Sequence, residues 1–440
     1  MEDKRLGIYI HIPFCLRKCA YCNFYSLVGQ DKMMPEYQAA LLRHIEEHAD
    51  QLDGYVIDSV YFGGGTPSHY GVTRLIELFS ALKKYGHVRI DSEVTVEINP
   101  ASISRDDFIR LRRAGFNRVS IGVQCADDQI LFNLGRPHNF ADAEKCVKDA
   151  KSAGFNNVSV DIIYGLPAQN KESWAETIAR VAALKAEHIS CYGLNVEEGS
   201  GLYLFKDSPF LPDDDTQADM YLYAVEMLAR FGYRQYEISN FSRRGFESAH
   251  NLKYWLGEEY IGFGTAAHSH IGSSRYSFVE GIDKYIDRVN LGQVVVEHRE
   301  QMSAFESAGE YLILRLRTTH GISEKEYNDI YRLKMDLILE LLKRYEEEGW
   351  AVFSEGRWKF TPNGFLRSNK LIGDLLEAQT RQRAQISKPW QEEPSTVEPQ
   401  MSLFDNKPVA APLFGSRRLV GRQYFEDESV ILNEEREQAK

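Results

Sequence analysis

Three cysteines fall within eight positions near the start of the chain, in the run Cys15-Leu-Arg-Lys-Cys19-Ala-Tyr-Cys22. Three thiolates from one loop can cap three irons of a cubane [4Fe-4S] cluster, leaving the fourth iron open to a substrate or cofactor. Zinc is the alternative, but a closed zinc site wants four ligands, and only His11 stands nearby as an obvious fourth. The other cysteines, at 125, 146 and 191, are single and read as small buried hydrophobes rather than as parts of a disulfide framework.

A glycine run, Phe62-Gly63-Gly64-Gly65-Thr66-Pro67-Ser68, follows the second strand-like segment. Residues without a Cβ let a backbone approach a ligand closely. Four further blocks contain groups that can bind a polar cofactor: Glu97-Ile-Asn-Pro100, Arg118-Val-Ser-Ile-Gly-Val-Gln124, Leu134-Gly-Arg-Pro-His138 and Asp161-Ile-Ile-Tyr-Gly-Leu-Pro167. With Tyr9-Ile-His-Ile-Pro-Phe-Cys15 and the CxxxCxxC spacing, these blocks resemble the HemN-like branch of the radical S-adenosylmethionine (SAM) superfamily. Within that branch they resemble the HemW heme chaperones, and the likeness extends over roughly residues 6–375. The resemblance implies a [4Fe-4S] cluster on Cys15, Cys19 and Cys22. It further implies SAM contacts from Tyr9, Tyr21, Gly64, Gly65, Thr66, Glu97, Gln124, Arg136 and Asp161. The chemistry is compatible, because carboxylates and a Gln can hold an amino group or ribose hydroxyls and Arg136 can meet a carboxylate. Each also has a plainer role open to it: a helix cap or ion pair for Glu97 and Asp161, a surface charge for Arg136. His138 is expected to pack or hydrogen-bond within its own loop, and Cys125 to be a packing residue.

Two functions of different class fit such a chain. One is an oxygen-independent coproporphyrinogen III oxidase; the other is a heme chaperone, with heme as its cargo. The oxidases continue the cluster motif as CxxxCxxCxC, whereas here Cys22 is followed by Asn23-Phe24. They also carry a long arm before the motif, whereas 14 residues precede Cys15 here. Ser239-Asn240-Phe241 and His250-Asn251-Leu-Lys-Tyr254-Trp255 resemble the HemW region with its HNxxYW motif. A neutral imidazole beside aromatic rings suits an axial heme ligand, so His250 is the candidate, with His268 and His270 behind it. The alternative is that His250 and Trp255 fasten this segment to the rest of the fold. Ser248 stands where such proteins often have Cys. A different radical SAM reaction on another substrate remains open at this point.

The elements that position these residues follow from hydrophobic period. Strand-like runs at 6–12, 56–62, 93–98, 118–124, 157–163 and 188–195 alternate with helical patterns such as 35–52, 71–84, 104–114, 140–153 and 171–185. Six βα units predict an α/β fold, a partial (β/α)6 barrel over residues 1–240 with its site on loops at the C-terminal ends of the strands. A loop-rich connecting region is expected over 241–300. Helical patterns at 303–316, 323–332 and 334–349 and a two-stranded ribbon then predict a smaller helical, winged-helix-like C-terminal domain over 301–380, serving as a structural cap. From 381 to 440 the chain turns rich in Pro, Ser, Gln and Glu, the composition of a disordered tail or partner-binding peptide.

Of 440 residues, 43% are hydrophobic and 26% charged, and 52 basic against 64 acidic residues leave a net charge of −12. That balance argues against nucleic acid as a partner, since phosphate neutralisation needs basic excess. No apolar run reaches the roughly 20 residues that span a bilayer, so a cytoplasmic protein is expected, with peripheral membrane contact left open. The partners implied are a heme-accepting protein and an electron donor for the cluster.

Overall fold

A computed structural model describes residues 4–385. Six parallel strands stand side by side in chain order: β1 (Lys4–Ile12), β2 (Tyr55–Gly64), β3 (His87–Ile98), β4 (Arg118–Gln124), β5 (Asn157–Tyr164) and β6 (His188–Gly193). Each is followed by a helix on the outer face: Met34–Glu47, Val72–Tyr85, Arg105–Ala114, Phe140–Ser152, Lys171–Ala183 and Asp214–Arg230. The helices begin where local chemistry says they should. Ser104 with Asp107, and Asn139 with Asp142, form reciprocal capping boxes, each satisfying an orphan N–H at either side of the first turn.

Strand alternation decides which residues serve the fold and which serve the site. In β4, Val119, Ile121 and Val123 are fully buried in the apolar layer beneath the helices, while Arg118, Ser120, Gly122 and Gln124 border the barrel interior. The same division sends Ile189 and Cys191 of β6 outward and Ser190 and Tyr192 inward. The apolar layer therefore supplies stability, and the interior is left for polar groups.

The region expected as a loop-rich connection instead extends the sheet at both edges. Asn240–Ser242 pairs antiparallel with β6, and Tyr260–Phe263 pairs parallel with β1, Gly7 opposite Tyr260. His268–Ile271, Ser274–Phe278 and Val296–Gln301 continue outward from that edge as antiparallel strands, within a sheet of twelve among the described residues. The HNxxYW segment is also regular: Ala249–Leu256 is a helix, and Ser248 is its N-cap, its hydroxyl accepting from the N–H of Asn251 at 3.4 Å.

Beyond residue 303, helices Ala304–Arg315, Glu324–Tyr331 and Asp336–Glu347 precede the hairpin Ala351–Ser354 and Arg357–Phe360, in the winged-helix-like order. Leu312, Tyr327, Ile338, Leu342 and Trp358 form a second core there, and Tyr221 of the sixth barrel helix packs into it. The helix Ser368–Gln385 runs through 381–385, past the composition break at 381; the rest of the expected tail lies outside the described residues.

Candidate cofactor-binding site

A cavity of about 400 Å³ opens at the C-terminal ends of the barrel strands. The loop after β1 places Cys15, Cys19, Tyr21 and Cys22 on its wall, and the loop after β2 adds Gly64, Gly65 and Thr66. Glu97 from β3, Gln124 from β4, Asp161 from β5 and Arg136 from the loop beyond β4 complete it. Of the expected SAM contacts, only Tyr9 stands off the wall. Its ring lies against Tyr61 with centroids 6.2 Å apart, and its hydroxyl bonds to His11 Nδ1 at 3.0 Å.

The three thiols share this wall under different constraints. Cys15 Sγ lies 3.3 Å from Thr66 Oγ1, and the Arg136 guanidinium donates to Cys19 Sγ at 3.5 Å. Burial pushes the Cys15 and Cys22 thiols up, so their thiolates need a positive charge beside them to form. Arg136 also donates to the Gly122 carbonyl at 2.8 Å, and its buried Nε has no protein partner. Across the cavity, Glu97 accepts from the Tyr61 hydroxyl at 2.8 Å and from the Gly64 N–H at 3.1 Å. Burial raises its carboxyl to about 7, with the neighbouring Asp161 adding to the rise. Asp161 accepts from Ser120 at 3.0 Å, and its carboxyl too is raised, chiefly by burial. The donor set fits a thiolate-held cluster, and the Arg136 guanidinium with its unpartnered Nε and the buried Glu97 carboxyl fit the two ends of an amino-acid ligand.

A model of the Radical SAM superfamily matches residues 9–181, and one of the HemN C-terminal domain matches residues 303–367. Heme chaperone HemW of Bacillus subtilis (strain 168) is 34% identical over 372 residues, covering 84% of this chain and 98% of that protein. The chain belongs to the HemW family. Heme chaperone HemW of Escherichia coli (strain K12) is 30% identical over 83% of this chain and 97% of its own length. Among solved structures, coproporphyrinogen III oxidase (HemN) from Escherichia coli, a Radical SAM enzyme, superposes with a TM-score of 0.76 at 23% identity, covering 86% of this chain and 90% of that one. The likeness to HemN establishes the shared fold.

For a HemW-family chain, the place of His250 is a correction. His250, the candidate heme ligand, is fully buried, as the alternative of a fastening residue requires. Its Nδ1 lies 2.9 Å from Ser59 Oγ and its Nε2 2.8 Å from the Tyr254 hydroxyl, so neither ring nitrogen is free for an iron. Burial drives its pKa down to about 3, and nearby Lys253 and Arg118 act in the same sense. His270 is likewise buried. His138 bonds to the Val123 carbonyl at 3.3 Å, and Cys125 is packed beside Thr177, as a loop anchor and a core residue do.

Sequence reasoning missed Tyr61, Arg118, Ser120, Ser190, Tyr192 and Asn251, all on the cavity wall. The signal for four of them was available. Arg118 and Ser120 share the inward phase of Gln124 on β4, and Ser190 and Tyr192 are the polar phase of β6. Asn251 belongs to the HNxxYW motif, but nothing local places it at the cavity, because its helix closes on the barrel from a distant stretch of chain.

Proposed function

We propose that this protein is a heme chaperone that carries a [4Fe-4S] cluster on Cys15, Cys19 and Cys22, binds SAM in the adjoining cavity, and passes heme to an acceptor protein. A cluster held there supplies an iron with an open position for the amino-acid end of SAM. Arg136 is suited to meet the SAM carboxylate and Glu97 to accept from its amino group, while Asp161 and Gln124 present acceptors and an amide to the ribose. An electron donor for the cluster is the second partner this reading requires.

The observation that carries the chaperone reading over the oxidase is Phe24. It occupies the position at which the oxidase motif continues with cysteine, lines the cavity and is 67% exposed. Leu16, on the same loop, is 51% exposed. The two make an apolar lip suited to one face of a porphyrin, and Arg17 beside them offers a counter-charge to propionates. An open lip suits cargo that must leave again; a radical reaction on a bound porphyrinogen asks for enclosure from water. Anaerobic reconstitution followed by parallel assays tests the reading. Stoichiometric heme binding without turnover of coproporphyrinogen III is expected. Time-dependent formation of protoporphyrinogen with SAM and a reductant would overturn it.

A further inference from the structure

The helix Ala249–Leu256 is locked to the barrel at both its backbone and its first histidine. The Glu93 carboxylate accepts the N–H groups of Ala249 and His250, each at 3.0 Å, so a β3 residue fixes the helix start. The His250 imidazole then reaches inward, held by Ser59 and Tyr254, and stacks on Tyr61 with centroids 5.2 Å apart and planes 24° apart. Tyr61 has little slack. A Cβ on Gly63 would come within 2.8 Å of Tyr61 Cε1 and 3.0 Å of Glu97 Oε1, so that glycine leaves room for ring and carboxylate to meet. The Tyr61 hydroxyl donates to Glu97, and Glu97 reaches the Gly64 N–H.

We propose that His250 is a positioning residue for SAM: through its stack on Tyr61 it fixes the Glu97 carboxylate in the cofactor cavity. The inference rests on the reading of that cavity as the SAM site, and it gives the HNxxYW motif a task that needs no iron. Neutral, fully hydrogen-bonded imidazole is a flat, rigid wall. Removing it leaves the Tyr61 ring free to tilt, and a tilted ring takes its hydroxyl off Glu97. The other titratable groups facing Glu97 are Asp161, Arg118, Tyr9 and Tyr254, none of which donates a hydrogen bond to it.

The test uses full-length, anaerobically reconstituted protein and compares wild type with His250→Ala, Tyr61→Phe, the double variant and the milder Tyr254→Phe. SAM affinity is read across pH from the change SAM makes in the EPR signal of the reduced cluster, and heme is titrated in parallel. Loss of the charge-assisted Tyr61 bond is expected to weaken SAM binding roughly tenfold in either single variant. The double variant should be no weaker than the poorer single, because both act on one hydrogen bond. Wild-type affinity should fall as pH drops through about 7. In the variants that midpoint should move upward, since the bond they lose favours the carboxylate. A role in stability alone would leave the midpoint in place.

Heme stoichiometry should be unchanged in His250→Ala. Wild-type SAM affinity and pH midpoint in that variant at full iron content, or loss of its heme spectrum with SAM binding intact, overturns the inference. If His250→Ala holds no cluster, Tyr254→Phe and Tyr61→Phe decide: wild-type affinity or a fixed midpoint in Tyr254→Phe overturns it. A wild type that binds no SAM overturns the reading of the cavity itself.

Discussion

The imidazole of His11 fills the space in which a side chain on Gly64 would have to stand: an added Cβ would lie 2.5 Å from His11 Cε1. Gly64 also has φ of +116°, which L-residues avoid. Gly64→Ala should therefore displace the Gly64 N–H from Glu97 and weaken SAM binding at least tenfold, while leaving the three thiols able to take up iron. SAM titration of the reconstituted variant, with iron analysis as its control, checks this; unchanged affinity would contradict it.

Cys19→Ala should abolish the cluster. Three thiolates are the whole protein contribution expected at such a site, so removing one leaves a corner iron without an anchor. Iron and sulfide analysis after anaerobic reconstitution should fall severalfold relative to wild type, and near-full content would sink the cluster assignment.

Phe24→Asp should weaken heme binding by an order of magnitude or more, because it sets a carboxylate against an apolar macrocycle and near its propionates. Its thermal stability should change by less than about 0.5 kcal/mol, as is usual for an exposed position. Equal heme affinity in the variant would place the heme elsewhere.

Glu237 gives a pH-dependent prediction. It is fully buried, Oε1 has no hydrogen-bond partner, Oε2 accepts from the Ser239 N–H at 3.1 Å, and burial lifts its carboxyl to about 7. The folded state thus holds the proton more tightly than the unfolded chain does. The stability this contributes is complete below about pH 4.5 and is lost as pH rises through about 7. Glu237→Gln keeps the neutral form at every pH. Chemical denaturation should show the variant's advantage over wild type grow by up to about 3 kcal/mol between about pH 4 and pH 8. An advantage that does not grow with pH would contradict this.

The barrel and most of its site were legible because both are written locally. The alternation of strand-like and helical runs and the spacing of Cys15, Cys19 and Cys22 both act within a few residues of one another. Cavity residues at the ends of consecutive strands follow from the fold class. What was not legible depends on contacts across long stretches of chain. His250 reads as an accessible ligand until Ser59, Tyr61 and Glu93 are brought around it, and nothing near residue 250 announces them. The helix Ala249–Leu256 was hidden for the same reason, since it packs on the barrel and on the helix Ala304–Arg315, both distant in sequence. Tyr260–Phe263 is too short to declare itself a sheet strand without its partner β1.

The pairing of β1 with that late strand sets a timetable for synthesis. Gly7 and Tyr260 are opposite one another, yet at about 5–20 residues per second the second leaves the ribosome roughly 10–50 s after the first. Throughout that interval the strand that carries the cysteine loop has an open flank of unpaired backbone groups beside Leu6, Ile8 and Ile10, a template for wrong pairing. The first strand of the nascent barrel therefore gains this neighbour only when residues 260–263 arrive, past the middle of the chain, and until then its open edge needs protection.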